Sequence, residues 1–248
     1  MIKFQKIAFK FTTTTFLLLI LGLGEALGAD AKENLQVADS LFEAQKYTES
    51  FEHYRAVYDA GRYSPAMLLH MAFIKEGLGQ SAESLFYLNQ YYLLTLDRSA
   101  HRKMSELAQN NELMGYRYSD LEFLISIFAR FRETGIMLAL AACILLAALV
   151  LRYKWRKKQK PVTGLVFLTI CLLITAAFTN LTKPAPHGII MSNQAYLLDQ
   201  PSAGGNLIEI AGKGHRVKIL DDGEVWVKIA WKDKKAYIRK QNLWSVEI

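Results

Sequence analysis

Apolar positions along this chain follow two kinds of pattern: unbroken uncharged runs, and alternations with a period near 3.6 or 2. The first run, Phe11–Leu23, follows Lys3, Lys6 and Lys10 and leads into Gly24-Glu25-Ala26-Leu27-Gly28-Ala29. A positive start, a short apolar core and a small-residue exit predict a secretory signal peptide over 1–29; an uncleaved anchor or a buried helix is the alternative. The second run, Gly135–Leu151, has 17 uncharged residues, about 26 Å of helix. The third, Val162–Leu181, has 20. Both lengths fall in the spanning range of about 17–25 residues. Neither run shows a polar stripe, and a helix apolar on all sides belongs in lipid or in a deep core. The polar flanks offer no such core, so two transmembrane helices are expected.

The connector 152–161 between them holds Arg152, Lys154, Arg156, Lys157, Lys158 and Lys160 and no acid. Short basic loops stay on the cytoplasmic side. Both flanking regions are then expected on the outer face of the cytoplasmic membrane, in agreement with the signal peptide. Tyr153 and Trp155 suit the aromatic belt at its surface.

Between the leader and the first span, residues 30–134 read as helical. Ala38–Tyr47 leads into Thr48–Tyr58, and Ala72–Gly79 leads into Gln80–Leu88. A shift of 34 residues aligns Ala38 with Ala72, Ser50 with Ser84, Phe51 with Leu85 and Tyr54 with Leu88. Small residues at 38, 72, 50 and 84 permit close helix approach, and larger ones at 47, 51, 54, 85 and 88 fill the gaps. Residues 103–113 and Ser119–Phe131 are expected as capping helices, the latter opening on the capping box Ser119-Asp120-Leu121-Glu122. Beyond 187 the period changes to 2. Val217 and Ile219 alternate with Arg216 and Lys218, and Val225, Val227, Ile229 and Trp231 with Trp226, Lys228 and Ala230. Turns at Asp221–Glu224 and Lys232–Lys235 separate these strands, which predicts a small all-β barrel.

Composition changes this picture little. The chain is 52% hydrophobic with a net charge of +7, and Lys3, Lys6, Lys10 and the connector alone hold nine of its positive charges. Residues 30–134 are net −4 and residues 184–248 net +2, so no concentrated basic face argues for nucleic acid. Chemistry is sparse. His53, His70 and His101 have no metal-ligand spacing, and Cys143 and Cys171 lie inside the expected spans, where they read as small apolar fillers. Gly212-Lys213-Gly214 lacks the setting of a phosphate loop, and the spans hold no ionisable residue for a proton relay. No cofactor, metal site or catalytic residue is expected; an enzyme would need a site built across subunits.

The 34-residue helix–turn–helix period resembles the tetratricopeptide repeat. The repeat family's Trp, Leu-Gly and Pro positions are mostly absent, and an unrelated helical bundle is the alternative. In the repeat frame the inner helices present Leu35, Asp39, Phe42 and Glu43, then Leu69, Phe73 and Glu76, to a partner-binding groove. Leu198-Asp-Gln-Pro-Ser202, Gly214, Val217-Lys-Ile219, Trp226-Val-Lys-Ile229 and Tyr237-Ile238 resemble the bacterial SH3 type 3 domain, with Ala236-Tyr237 where that family has Gly-Trp. Tyr196, Trp226, Trp231 and Tyr237 are its candidate ligand-binding aromatics. The whole order is signal peptide 1–29, helical repeats 30–134, spans 135–151 and 162–181, and an SH3-like barrel 187–248. It resembles the BatE family of the Bat aerotolerance operon in Bacteroidetes-type bacteria. The resemblance implies a non-catalytic, multi-domain envelope scaffold. Its implied partners are membrane proteins with von Willebrand A domains and, indirectly, a MoxR-type ATPase. A cell-wall sensor whose barrel binds peptidoglycan is the alternative.

Overall fold

The computed structural model describes residues 30–117, 123–124, 126–127, 131–157, 162–181 and 186–246. The expected signal peptide, the Ser119–Glu122 capping box, and Lys158 and Lys160 lie outside them. The chain forms two compact units that meet in sequence at Tyr91 and Tyr92.

The first unit is helical: α1 (30–43), α2 (Tyr47–Asp59), α3 (Pro65–Gly77) and the larger part of α4 (Ser81–Thr95). Tyr47 and Ser81 open α2 and α4, a spacing of 34 residues. Gln45 and Gly79, in the preceding turns, stand at the same spacing with φ of 59° and 71°. The second turn falls at Gly79–Gln80 as expected, whereas the first falls a few residues earlier, so the run predicted as one helix over 38–47 breaks after residue 43. The expected inward positions are buried: Ala38 and Ala72 at 0% and 2% exposure, Ser50 and Ser84 both at 0%. The short side chains let the paired backbones close up, and the Ser50 hydroxyl donates to the Ala38 carbonyl at 2.8 Å. Phe51, Tyr54, Met67, Leu68, Met71 and Leu85 fill the space around them. Helix α3 starts sharply because Pro65 sits in its first turn and the Ser64 hydroxyl accepts from the Met67 N–H at 3.2 Å.

The second unit opens with the end of α4 and with α5 (Arg98–Asn110). This helix begins five residues before the expected 103, because the Asp97 carboxylate caps it, accepting from the Ser99 N–H at 2.8 Å. Glu112, at φ 55° just past its end, follows Gly79 by 33 residues, close to the spacing of the two earlier turns. Two apolar helices follow, α6 (Arg132–Lys157) and α7 (Val162–Leu181). Cys143 and Cys171 face each other with Sγ atoms 3.1 Å apart, and the Arg132 guanidinium donates to the Thr179 carbonyl at 3.2 Å. A Cβ on Gly164 would meet Val150 at 2.7 Å, so glycine there sets a close approach. As the α6 partner advances along its helix the α7 partner recedes, so the pair is an antiparallel hairpin.

The spans differ from expectation in two ways. Helix α6 starts before Gly135 and continues through Arg152, Lys154, Arg156 and Lys157, so the first half of the expected loop is helix. Lys and Arg favour helix, so the basic residues after Leu151 extend it to Lys157. Of α6, the 24 residues Arg132–Trp155 are long and apolar enough to cross a membrane, and 6% of their most apolar window is buried. Of the second expected span, Val162–Ala177 forms a shorter apolar helix. By length and composition the described residues therefore hold one candidate span, not two.

The remaining chain is antiparallel β: β1 (His187–Ile190), β2 (Ala195–Leu198), β3 (Leu207–Ala211), β4 (Arg216–Asp222), β5 (Trp226–Trp231), β6 (Lys234–Arg239) and, after a 3-10 turn, β7 (Leu243–Val246). The strand order is β3-β2-β6-β5-β4-β1-β7. Its ends do not pair, so the expected closed barrel is an open seven-stranded sheet. All seven strands contribute to one core, from Ile190 and Leu197 through Val227, Ile229 and Trp231 to Leu243, which requires the sheet to curl. Register shifts at Leu197/Leu198 and Ile219/Asp221 supply local bends. The turn expected over Lys232–Lys235 is tighter. Trp231 pairs with Lys234 and Lys232 takes φ 50°, leaving a two-residue loop.

Candidate functional site

On α1, residues 35, 39, 42 and 43 share a helical face, as do 69, 73 and 76 on α3. Leu35, Phe42 and Glu76 are half-buried, whereas Asp39, Glu43, Leu69 and Phe73 are exposed, Phe73 at 54%. The structure brings Phe42 and Phe73 together with ring centroids 5.8 Å apart, and the Tyr47 ring lies edge-on to both. It places no comparable contact at Leu35, Glu43 or Leu69.

A histidine completes the cluster. His70 stacks on Phe42 at 4.0 Å, so the expectation of a lone surface residue is corrected. The Tyr54 hydroxyl donates to Asp39 Oδ1 at 2.6 Å and lies 2.8 Å from His70 Nδ1. With the phenol proton directed at the carboxylate, the Tyr54 oxygen is left to accept from His70 Nδ1. Burial pushes the Tyr54 phenol far above its usual range, and the Asp39 carboxylate beside it adds to the shift. This tyrosine is therefore a neutral, fixed donor. Three elements thus hold an aromatic surface with a carboxylate beside it, a surface suited to binding. Tyr47 and Tyr54 read in sequence as packing residues, and His70 as an isolated one. The signal that could have marked them is Tyr54 itself, whose partner in the 34-residue alignment is Leu88. A shallow cleft of about 340 Å³ lined by Val37, Ser40 and Leu41 lies on α1 but includes none of these residues.

The four aromatics proposed for the sheet do not form one surface. Trp231 is 4% exposed and belongs to the core, its indole N–H donating to Glu209 Oε2 at 2.7 Å. Strand alternation sends it inward with Val227 and Ile229, so its reading as a ligand-binding residue is corrected. Trp226 is half-buried under the Arg239 guanidinium, 5.6 Å from its ring, and Lys228 covers Tyr237 in the same way. Tyr196 is 53% exposed and pairs across the strands with Ile210.

A third constellation was not legible in the sequence. The segment Leu113–Tyr116, just after α5, lies on the start of β4. The Met114 N–H donates to His215 Nδ1 at 3.1 Å, and the Arg216 N–H donates to the Met114 carbonyl at 3.0 Å. The Tyr116 hydroxyl donates to the Gly214 carbonyl at 2.8 Å. Among the described residues, no group of three or more His, Cys, Asp and Glu side chains could hold a metal ion. No family model matches the chain, and no curated protein matches it.

Proposed function

We propose that this protein is a membrane-anchored, non-catalytic envelope scaffold with tetratricopeptide-like repeats, a two-helix transmembrane hairpin and an SH3-like C-terminal domain. In this reading α6 and α7 both cross the cytoplasmic membrane, residues 152–161 face the cytoplasm, and the helical region and the sheet face outward. The aromatic surface on α1 and α3 binds a protein partner. By resemblance to the BatE family that partner is a von Willebrand A-domain membrane protein, linked indirectly to a MoxR-type ATPase.

The observation that carries the topology is the contact of Met114 and Tyr116 with Gly214, His215 and Arg216. Segments that hydrogen-bond directly lie on one side of a membrane. The chain between them therefore crosses an even number of times. Helix α6 has the length and the exposure of a span, so α7 returns the chain. Helix α7 has 20 residues without a charge, about 30 Å of helix against a hydrocarbon core of about 30 Å.

The binding reading is tested on the full chain in isolated membranes. Phe42→Ala with Phe73→Ala removes the two rings of the surface, one half-buried and one exposed, and leaves Tyr54 and the Ser50 contact in place. Co-purification of the von Willebrand A-domain partner should fall by more than about tenfold, the usual scale of a central aromatic anchor. Undiminished capture contradicts the assignment. Exposed Tyr196 favours the second reading, a peptidoglycan sensor. That reading requires retention on purified peptidoglycan that Tyr196→Ala abolishes.

A further inference from the structure

The contact between Leu113–Tyr116 and the sheet has a chemistry that its role in topology does not require. Four of its features do not involve the imidazole of His215. The Arg216 N–H bonds the Met114 carbonyl, the Arg216 guanidinium donates to the Gly115 carbonyl at 3.3 Å, and the Tyr116 hydroxyl bonds the Gly214 carbonyl. Leu113 covers Gly214, where a Cβ would come within 2.8 Å of its side chain. The fifth feature is different. A backbone N–H can only donate, so His215 Nδ1 must accept from Met114, and the imidazole in the docked form is neutral with its proton on Nε2. Protonation puts a hydrogen on Nδ1 and sets two donors face to face.

We propose that Leu113–Tyr116 is an acid-released strap, docked on Gly214–Arg216 while His215 is neutral and freed when His215 takes up a proton. The surroundings of the imidazole set its response. Trp231 meets it edge-on at 5.4 Å, and beyond lie Glu209 on β3 and Lys232 in the β5–β6 turn, ion-paired to each other at 2.8 Å. Arg216 is its neighbour on β4, and Lys213 precedes it in the turn. The strap contributes Tyr116, and β1 contributes the backbone of Ile190, with His187 at the far end of that strand opposite Lys218. Burial of the imidazole holds its pKa below the usual histidine value of 6.5; Glu209 opposes this and Lys232 adds to it.

The sign follows. A histidine whose pKa is lower docked than free binds its proton preferentially in the free form. Docking is therefore fully present above about 6.5 and is lost as pH falls from there toward the depressed value, by about tenfold per pH unit.

The test uses the full chain in detergent micelles, labelled with ¹⁵N at its seven methionines, with the Met114 amide signal assigned by Met114→Leu. Between pH 8 and 5 that signal should shift with a midpoint below 6.5, while the methionine signals of α3 and α6 stay in place. His215→Gln retains an acceptor oxygen but cannot titrate, and it should hold the Met114 signal at its neutral-pH position throughout. Gly115→Ala supplies an independent arm. Gly115 has φ 92°, and a Cβ there would fall 1.9 Å from the Arg216 carbonyl oxygen. This variant should place the Met114 signal at its acid position at every pH. A wild-type signal that does not move, an unchanged midpoint in His215→Gln, or wild-type titration in Gly115→Ala overturns the proposal.

Discussion

Trp231→Ala should unfold the C-terminal sheet at neutral pH, at a cost of about 3–5 kcal/mol. The indole is 4% exposed among Val227, Ile229, Ala236 and the other core residues. Truncation leaves a cavity in the core of a sheet region of about 60 residues, and a core that small has little stability to spare. It also removes the donor to Glu209 and the ring against which His215 packs. Trp226→Ala is the matched control. That indole is half-buried beneath Arg239 on the outer side of the same strand, and its loss should cost about 1 kcal/mol or less, the scale of a solvent-exposed cation–π pair. Amide hydrogen exchange of β4–β6 in the full chain distinguishes the two. Protection should vanish in Trp231→Ala and persist in Trp226→Ala. Equal protection in both variants contradicts the assignment of Trp231 to the core.

The second large effect is expected in the helical unit. Ser50→Trp and Ser84→Trp place an indole where exposure is 0% and neighbouring helices are held apart only by a hydroxymethyl group. Overpacking of this kind costs about 1–3 kcal/mol. At Ser50 it also breaks the bond to the Ala38 carbonyl, so Ser50→Trp should be the more damaging of the two. Thermal melting followed at 222 nm on the full chain reads the result. A melting curve unchanged in both variants would remove the 34-residue register as the basis of helix packing.

What was legible in the sequence is what repeats. The 34-residue shift and the period-2 alternation of Val227, Ile229 and Trp231 both put the right residues inside, because burial acts on each of them independently. Boundaries were less legible. Asp97 begins α5 through a cap, and the basic residues after Leu151 prolong α6, since charge orients a span without terminating its helix. The open ends of the sheet were not legible because its two edge strands, β3 and β7, have five and four residues, too few to carry a period. His215 and Met114 are 101 residues apart, and no local pattern joins such a pair. His70 was missed for a similar reason. Its stacking on Phe42 depends on how α1 and α3 lie together, which spacing within either helix does not encode.

The central claim, two crossings with both folded regions on the outer side, is tested most directly with a reporter that is active only in the cytoplasm. Fused after Lys157, at the end of α6, it should be active. Fused after Ile248, behind both apolar helices and the sheet, it should be inactive. Activity at both sites would mean that α6 crosses alone and would contradict the hairpin; activity after Ile248 with none after Lys157 would place both folded regions in the cytoplasm and contradict the scaffold equally.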